Sequence, residues 1–250
     1  MLIAGAVCPH PPLLIPAALG AAAAEPPPEL RKLATAAAAA VAGLLAADPD
    51  LIAVVGGGEA DQEYGPDAAG TLRGYGVDVT VGTGEPVLPL PLTVGRWLLG
   101  QAGVAGLGRD GAPGGAARPA VLFQAVDQRA TPSVCRKLGM IVAQRAGRVA
   151  VLAMGDASAR RAREAPEVPD PAAEDYDDDV AEALAAADTR WLCRLDPALD
   201  RQLVVAGRAA WQVLAGAAEG RRLDGRLLCM TSPYGVTYLV AAWAQQPLRG

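Results

Sequence analysis

Three short, unbroken apolar runs constrain this chain more than anything else in it: Leu2-Ile3-Ala4-Gly5-Ala6-Val7, Leu51-Ile52-Ala53-Val54-Val55 and Val149-Ala150-Val151-Leu152-Ala153-Met154. Each has strand length and no polar alternation, the pattern of a strand with both faces covered. Such strands belong inside a parallel sheet flanked by helices. The intervening sequence supplies helical patterns. Pro28 at a first-turn position and Glu29 after it open a helix that runs to about Ala47. Leu30, Leu33, Ala37, Val41, Leu44 and Leu45 recur in it at helical spacing, and Asp48-Pro49-Asp50 ends it.

Further helices are predicted over Leu13–Leu19, Leu92–Gln101, Ser133–Arg145, Ala172–Ala187, Thr189–Leu195 and Pro197–Glu219, the last open to division in two. Further strands are predicted over Val77–Val81, Pro119–Val126, Arg226–Met230 and Val236–Ala242. Residues 59–76 read as a loop and Gly103–Arg118 as a mobile Gly-rich insertion. Strand–helix alternation without an internal repeat or linker argues one mostly parallel α/β sheet with helices on both faces.

Composition narrows the function classes. With 250 residues and 52% hydrophobic but only 4% aromatic content, the core is built of Ala, Val and Leu. A chain of this size buries roughly 70–75% of its unfolded surface and needs no covalent staple. The net charge of −5 and pI near 5.0 disfavour a nucleic-acid partner. The densest basic cluster, Arg160, Arg161 and Arg163, is followed closely by the acidic run Asp175–Asp179. Cys8, Cys135, Cys193 and Cys229 are widely spaced, as expected of buried reduced thiols and not of a disulfide frame or zinc site. No apolar stretch reaches membrane-spanning length free of Gly, Pro or charge, and Cys8 lacks the flanks of a lipoprotein cysteine. A cytoplasmic protein without a membrane partner is the expectation.

In open α/β sheets, chemistry collects at the carboxyl ends of strands. Four polar turns fall there: Cys8–Pro12, Gly56–Asp61, Gly155–Arg160 and Thr231–Tyr234. His10 is the only histidine in the chain, held between Pro9 and Pro11. Gly56-Gly57-Gly58 offers backbone N–H groups to an anion, yet no phosphate-loop or dinucleotide motif follows, and Glu59 and Asp61 repel phosphate. A serine hydrolase is disfavoured, since only His10 can act as imidazole base and no G-x-S-x-G elbow is present. Asp156 and Ser158 read either as pocket groups or as turn-capping residues.

Together these turns resemble the class III extradiol ring-cleavage dioxygenase superfamily, its catalytic B-type subunit and Memo-like members above all. Cys8-Pro9-His10-Pro11-Pro12-Leu13-Leu14-Ile15-Pro16 is similar to the N-terminal P-H-P-P motif, and Pro49-Asp50-Leu51-Ile52-Ala53-Val54-Val55 to the P-D-x-[VI]-x-[VI]-[VI] strand. Met154-Gly155-Asp156-Ala157-Ser158-Ala159-Arg160 resembles S-G-D-L-S-H-R, with Ala165-Pro166 and Asp170-Pro171 in register, and Asp175-Tyr176-Asp177 resembles the following helix start. Ser232-Pro233-Tyr234-Gly235-Val236-Thr237-Tyr238 is similar to the closing G-P-[FY]-G-V-G-Y. The resemblance spans nearly the whole chain, and a single domain over residues 1–250 is the expectation. It implies a three-layer α/β/α sandwich with a mostly parallel or mixed central sheet. It also implies a mononuclear Fe(II) held by two histidines and a carboxylate, with a further histidine as acid–base catalyst.

The departures from that pattern carry as much as the matches. His10 lies on the first iron ligand, but Gly58 stands at the second histidine, Ala159 at the acid–base histidine and Thr231 at the carboxylate. A single imidazole does not hold Fe(II), so the leading expectation is a catalytically degenerate relative. Its strand-end pocket would be lined by His10, Asp156, Ser158, Thr231 and Tyr234 and would bind a small molecule or a protein partner. Two alternatives stand beside it. One is an active oxidoreductase with a metal site rebuilt from His10, Glu59, Asp61 and Asp156, suited to Mn²⁺ or Mg²⁺. The other is a non-catalytic structural subunit. The resemblance makes a homo-oligomer an expectation as well.

Overall fold

Apolar runs buried from end to end become the middle of one seven-stranded sheet. The structure is a computed structural model and describes residues 1–104, 119–161 and 166–245. Its strands are β1 (Leu2–Cys8), β2 (Leu51–Gly58), β3 (Gln62–Tyr64), β4 (Gly70–Thr71), β5 (Thr80–Val81), β6 (Ala120–Asp127), β7 (Val149–Met154), β8 (Leu223–Thr231) and β9 (Tyr238–Gln245). Its helices are α1 (Pro28–Ala46), α2 (Leu90–Gln101), α3 (Pro132–Ala143), α4 (Ala172–Ala185), α5 (Thr189–Leu192), α6 (Pro197–Leu203) and α7 (Arg208–Ala217). The main sheet runs β3-β6-β2-β7-β1-β9-β8. Strands β6, β2, β7 and β1 are parallel, while β3 and β9 lie antiparallel to their neighbours and β8 antiparallel to β9.

Alternation along each strand divides the side chains between two cores. In β7, Val149, Val151 and Ala153 join one core while Ala150, Leu152 and Met154 join the other. The first core is closed by α3, α4, α5 and α7, the second by α1 and α2. This is the α/β/α sandwich with a mixed, mostly parallel sheet. Among the described residues no helix is long and apolar enough to cross a membrane, and all four cysteines are free thiols.

Several boundaries differ from expectation, each for a local reason. The Leu13–Leu19 helix is instead a pair of 3₁₀ segments, Pro12–Leu14 and Pro16–Ala23, because Pro16 donates no backbone bond and Gly20 turns to φ +55°. The expected strand Val77–Val81 contracts to β5, since Val77 N–H bonds Leu72 O in a turn; β5 pairs with β4 outside the main sheet. The loop 59–76 contains β3 and β4. Pro197–Glu219 divides into α6 and α7, as left open. The Gly-rich segment lies, from residue 105 to 118, outside the described residues.

Candidate functional site

Register fixes which strand ends meet. Cys8 pairs with Met154 across β1 and β7, and two residues further on His10 reaches Asp156. The His10 backbone N–H donates to Asp156 Oδ1 at 2.8 Å. The imidazole Nδ1 stands 3.5 Å from the same oxygen, with side chains only 9% and 15% exposed. Nδ1 is buried and makes no hydrogen bond. Burial pushes the Asp156 carboxyl pKa up, and the His10 charge and backbone N–H only partly offset it. Pro9 and Pro11 hold the turn, and Gly155 N–H donates to Cys8 O at 2.9 Å, tying the β1 and β7 ends together.

Beyond the end of β1, the turn after β7 bends across to β9. Ala157 N–H donates to Thr237 O and Thr237 N–H to Ser158 O, each at 2.9 Å. This brings Tyr238, the first residue of β9, to Asp156. The phenol pKa is raised by burial and further by the charges of Asp156 and Tyr234. Thr231 pairs with Tyr238 at the end of β8 and is half-buried. Tyr234 is 55% exposed on a turn where its own φ is +61°, and Ser232 Oγ lies 3.0 Å from Thr237 Oγ1.

On the other side, Gly56 pairs with Met154, where the β2–β7 ladder ends, and Gly58 lies two residues further along β2. Gly58 pairs with Asp127 of β6. A Cβ at Gly58 would lie 2.9 Å from Ala125 Cβ and 3.4 Å from Ala60 O. The position of the second histidine in the resemblance is therefore filled by neighbours, not merely vacated. Gly57, Gly58, Glu59, Pro89, Asp127 and Gln128 contribute to the walls of a cleft of about 660 Å³ at this edge.

The structure thus brings together His10 and Asp156, whereas Thr231 stands on β8, two strands away from β1, and Tyr234 is exposed on the turn between β8 and β9. Ser158 corrects the expectation. It is fully buried, its hydroxyl donates to Asp177 Oδ2 at 2.7 Å and its N–H to Asp177 Oδ1 at 2.9 Å. It anchors α4 and does not line a pocket. The set His10, Glu59, Asp61 and Asp156 is likewise not assembled. Among the described residues no three His, Cys, Asp or Glu side chains gather to hold a metal. Asp61 accepts the Asp127 N–H at 2.8 Å, and Glu59 faces the cleft, whereas Asp156 is held at His10. Ala159 is buried, its N–H donating to Leu203 O at 3.1 Å. The donors present do not fit the iron that the resemblance implies, which needs a second imidazole and a carboxylate beside His10 on one face of the metal.

Two groups of residues escape the sequence reading. Tyr238 lies inside the closing motif, but only the backbone bonds between Thr237 and the turn after β7 carry it toward Asp156. The turn Asp127–Ala130 after β6 is a fifth strand-end turn. Its signal was present, a buried strand followed by Asp127, and the lack of any recognised motif hid it.

No family model matches the chain, and no curated protein matches it. Among solved structures the chain is similar to the uncharacterized protein JW3007 from Escherichia coli K12, at 12% identity and a TM-score of 0.50, covering 97% of this chain and 99% of that one. At that identity the likeness concerns the fold alone.

Proposed function

We propose that this protein is a metal-free, catalytically degenerate relative of the class III extradiol dioxygenases that binds a small polar molecule, or a segment of a protein partner, at the carboxyl edge of its sheet. The observation that carries this is the content of that edge. One imidazole stands against one buried carboxyl, and Gly58 and Ala159 are packed by neighbours. Such a set donates and accepts hydrogen bonds to a ligand but lacks the donors to retain Fe(II). The four free cysteines and the lack of a membrane-crossing helix among the described residues support a cytoplasmic setting.

Metal analysis of protein purified without chelator tests this, paired with oxygen-electrode measurements on catechol in added Fe(II). Far less than one metal ion per chain is expected, no oxygen uptake, and no change in either for His10→Ala. Stoichiometric iron or manganese that disappears in His10→Ala overturns the proposal.

A further inference from the structure

Behind the cleft lies a buried polar network that the proposed function does not use. Arg208, at the first turn of α7, is 2% exposed. Its Nη1 donates to Ala130 O at 2.8 Å and to Gln212 Oε1 at 3.0 Å, and Nη2 donates to Gln128 O. Those two carbonyls belong to the turn after β6 whose Asp127, Gln128 and Arg129 wall the cleft. Gln128 N–H in turn donates to Gly58 O at 3.2 Å. Arg208 therefore grips the cleft wall from inside the core, one residue away from Gly58.

The other side of Arg208 faces Asp200, whose partner Tyr176 lines a second cavity. Arg208 Nε is 2.5 Å from Asp200 Oδ2, and Asp200 Oδ1 accepts the Tyr176 hydroxyl at 2.7 Å. Tyr176 lines a cavity of about 400 Å³ between α4, α5 and α6, together with Trp191, Leu195 and Leu199. Gln212 makes a second link, its Nε2 donating to Leu192 O and Leu195 O at 3.1 Å each. Two walls of this cavity are thus joined to Arg208 through buried hydrogen bonds and one ion pair. Arg208 Nε and Asp200 Oδ2 are buried and meet only each other, as an ion pair; a polar network held this way in a low-dielectric core has few alternative arrangements, so loss of one bond is passed to the next.

We infer that Arg208 is a positioning residue for the cleft, and that Tyr176 and Asp200 relay the state of the α4–α6 cavity to it. The inference rests on the reading that the cleft takes a ligand, but its test needs none. Amide hydrogen exchange is measured on the full chain for wild type, Tyr176→Phe, Arg208→Lys and the double variant. Tyr176→Phe removes one hydroxyl outside the cleft and is expected to speed exchange at Gln128 and Ala130 about tenfold, with β2 and β7 unchanged. Arg208→Lys is expected to do the same, and the double variant to add nothing beyond either single change. Unchanged exchange at the turn, acceleration spread evenly over the molecule, or additive effects in the double variant each overturn the relay. None of these outcomes depends on whether the protein holds metal or turns over catechol, so failure here is separable from failure of the proposed function.

Discussion

At the scale of single residues, the site is decided by what Gly58 and Asp156 permit. Introducing Gly58→His puts a side chain against Ala125, and overpacking of this kind costs about 1–3 kcal/mol. Denaturant unfolding is expected to show that loss, with part of it recovered in Gly58→His combined with Ala125→Gly. Asp200 supplies a second residue-level test. Burial lifts its carboxyl pKa to about 6, against an ordinary value of 3.8, with the Tyr176 hydroxyl and Arg208 opposing the shift. The folded state therefore binds this proton at a pH where the unfolded chain has released it. The stabilising contribution is full below the unfolded pKa and is lost as pH rises through about 6. Thermal melting followed from pH 4 to pH 7 is expected to show this downward slope, and Asp200→Asn is expected to remove the part that Asp200 supplies.

At the scale of elements, two features set stability without touching the site. Helices α3 and α7 cross so closely that a Cβ at Gly139 would lie 2.0 Å from Val213 O, and one at Gly216 would lie 2.2 Å from Arg136 O. Backbone cannot yield there as a flexible side chain would. Gly139→Ala is expected to lower the unfolding free energy by about 3 kcal/mol, read from the denaturant midpoint. In contrast, Val204 ends α6 at φ +55° and ψ +50° while 40% exposed. A β-branched residue is strained in that region and little packing holds it there. Val204→Gly is expected to raise stability by about 1 kcal/mol, again seen at the midpoint. The same local logic explains which elements were legible. Strands β2 and β7 announce themselves by unbroken apolar runs and helix α1 by its periodicity and its proline and aspartate boundaries, whereas β3 and β4, three and two residues long, leave no pattern to find.

At the scale of the whole molecule, the sheet order β3-β6-β2-β7-β1-β9-β8 joins strands from both ends of the chain. Local patterning determined a great deal of this: continuous apolar runs required a covered, mostly parallel sheet, and the single histidine by itself restricted the donor set. His10 and Asp156 were legible as strand-end groups because strands of this class end where sites form. What only the tertiary structure decided is which of those groups meet. Ser158 and Asp156 are two residues apart, yet one turns inward to Asp177 and the other to His10. Asp61 is taken up by Asp127, from a strand that no motif marked. Tyr238 comes to Asp156 from the far end of the sequence. Strand identity is a short-range property of side-chain pattern. The company a side chain keeps depends on register between strands up to more than a hundred residues apart, and a shift of one residue there turns every side chain to the opposite core.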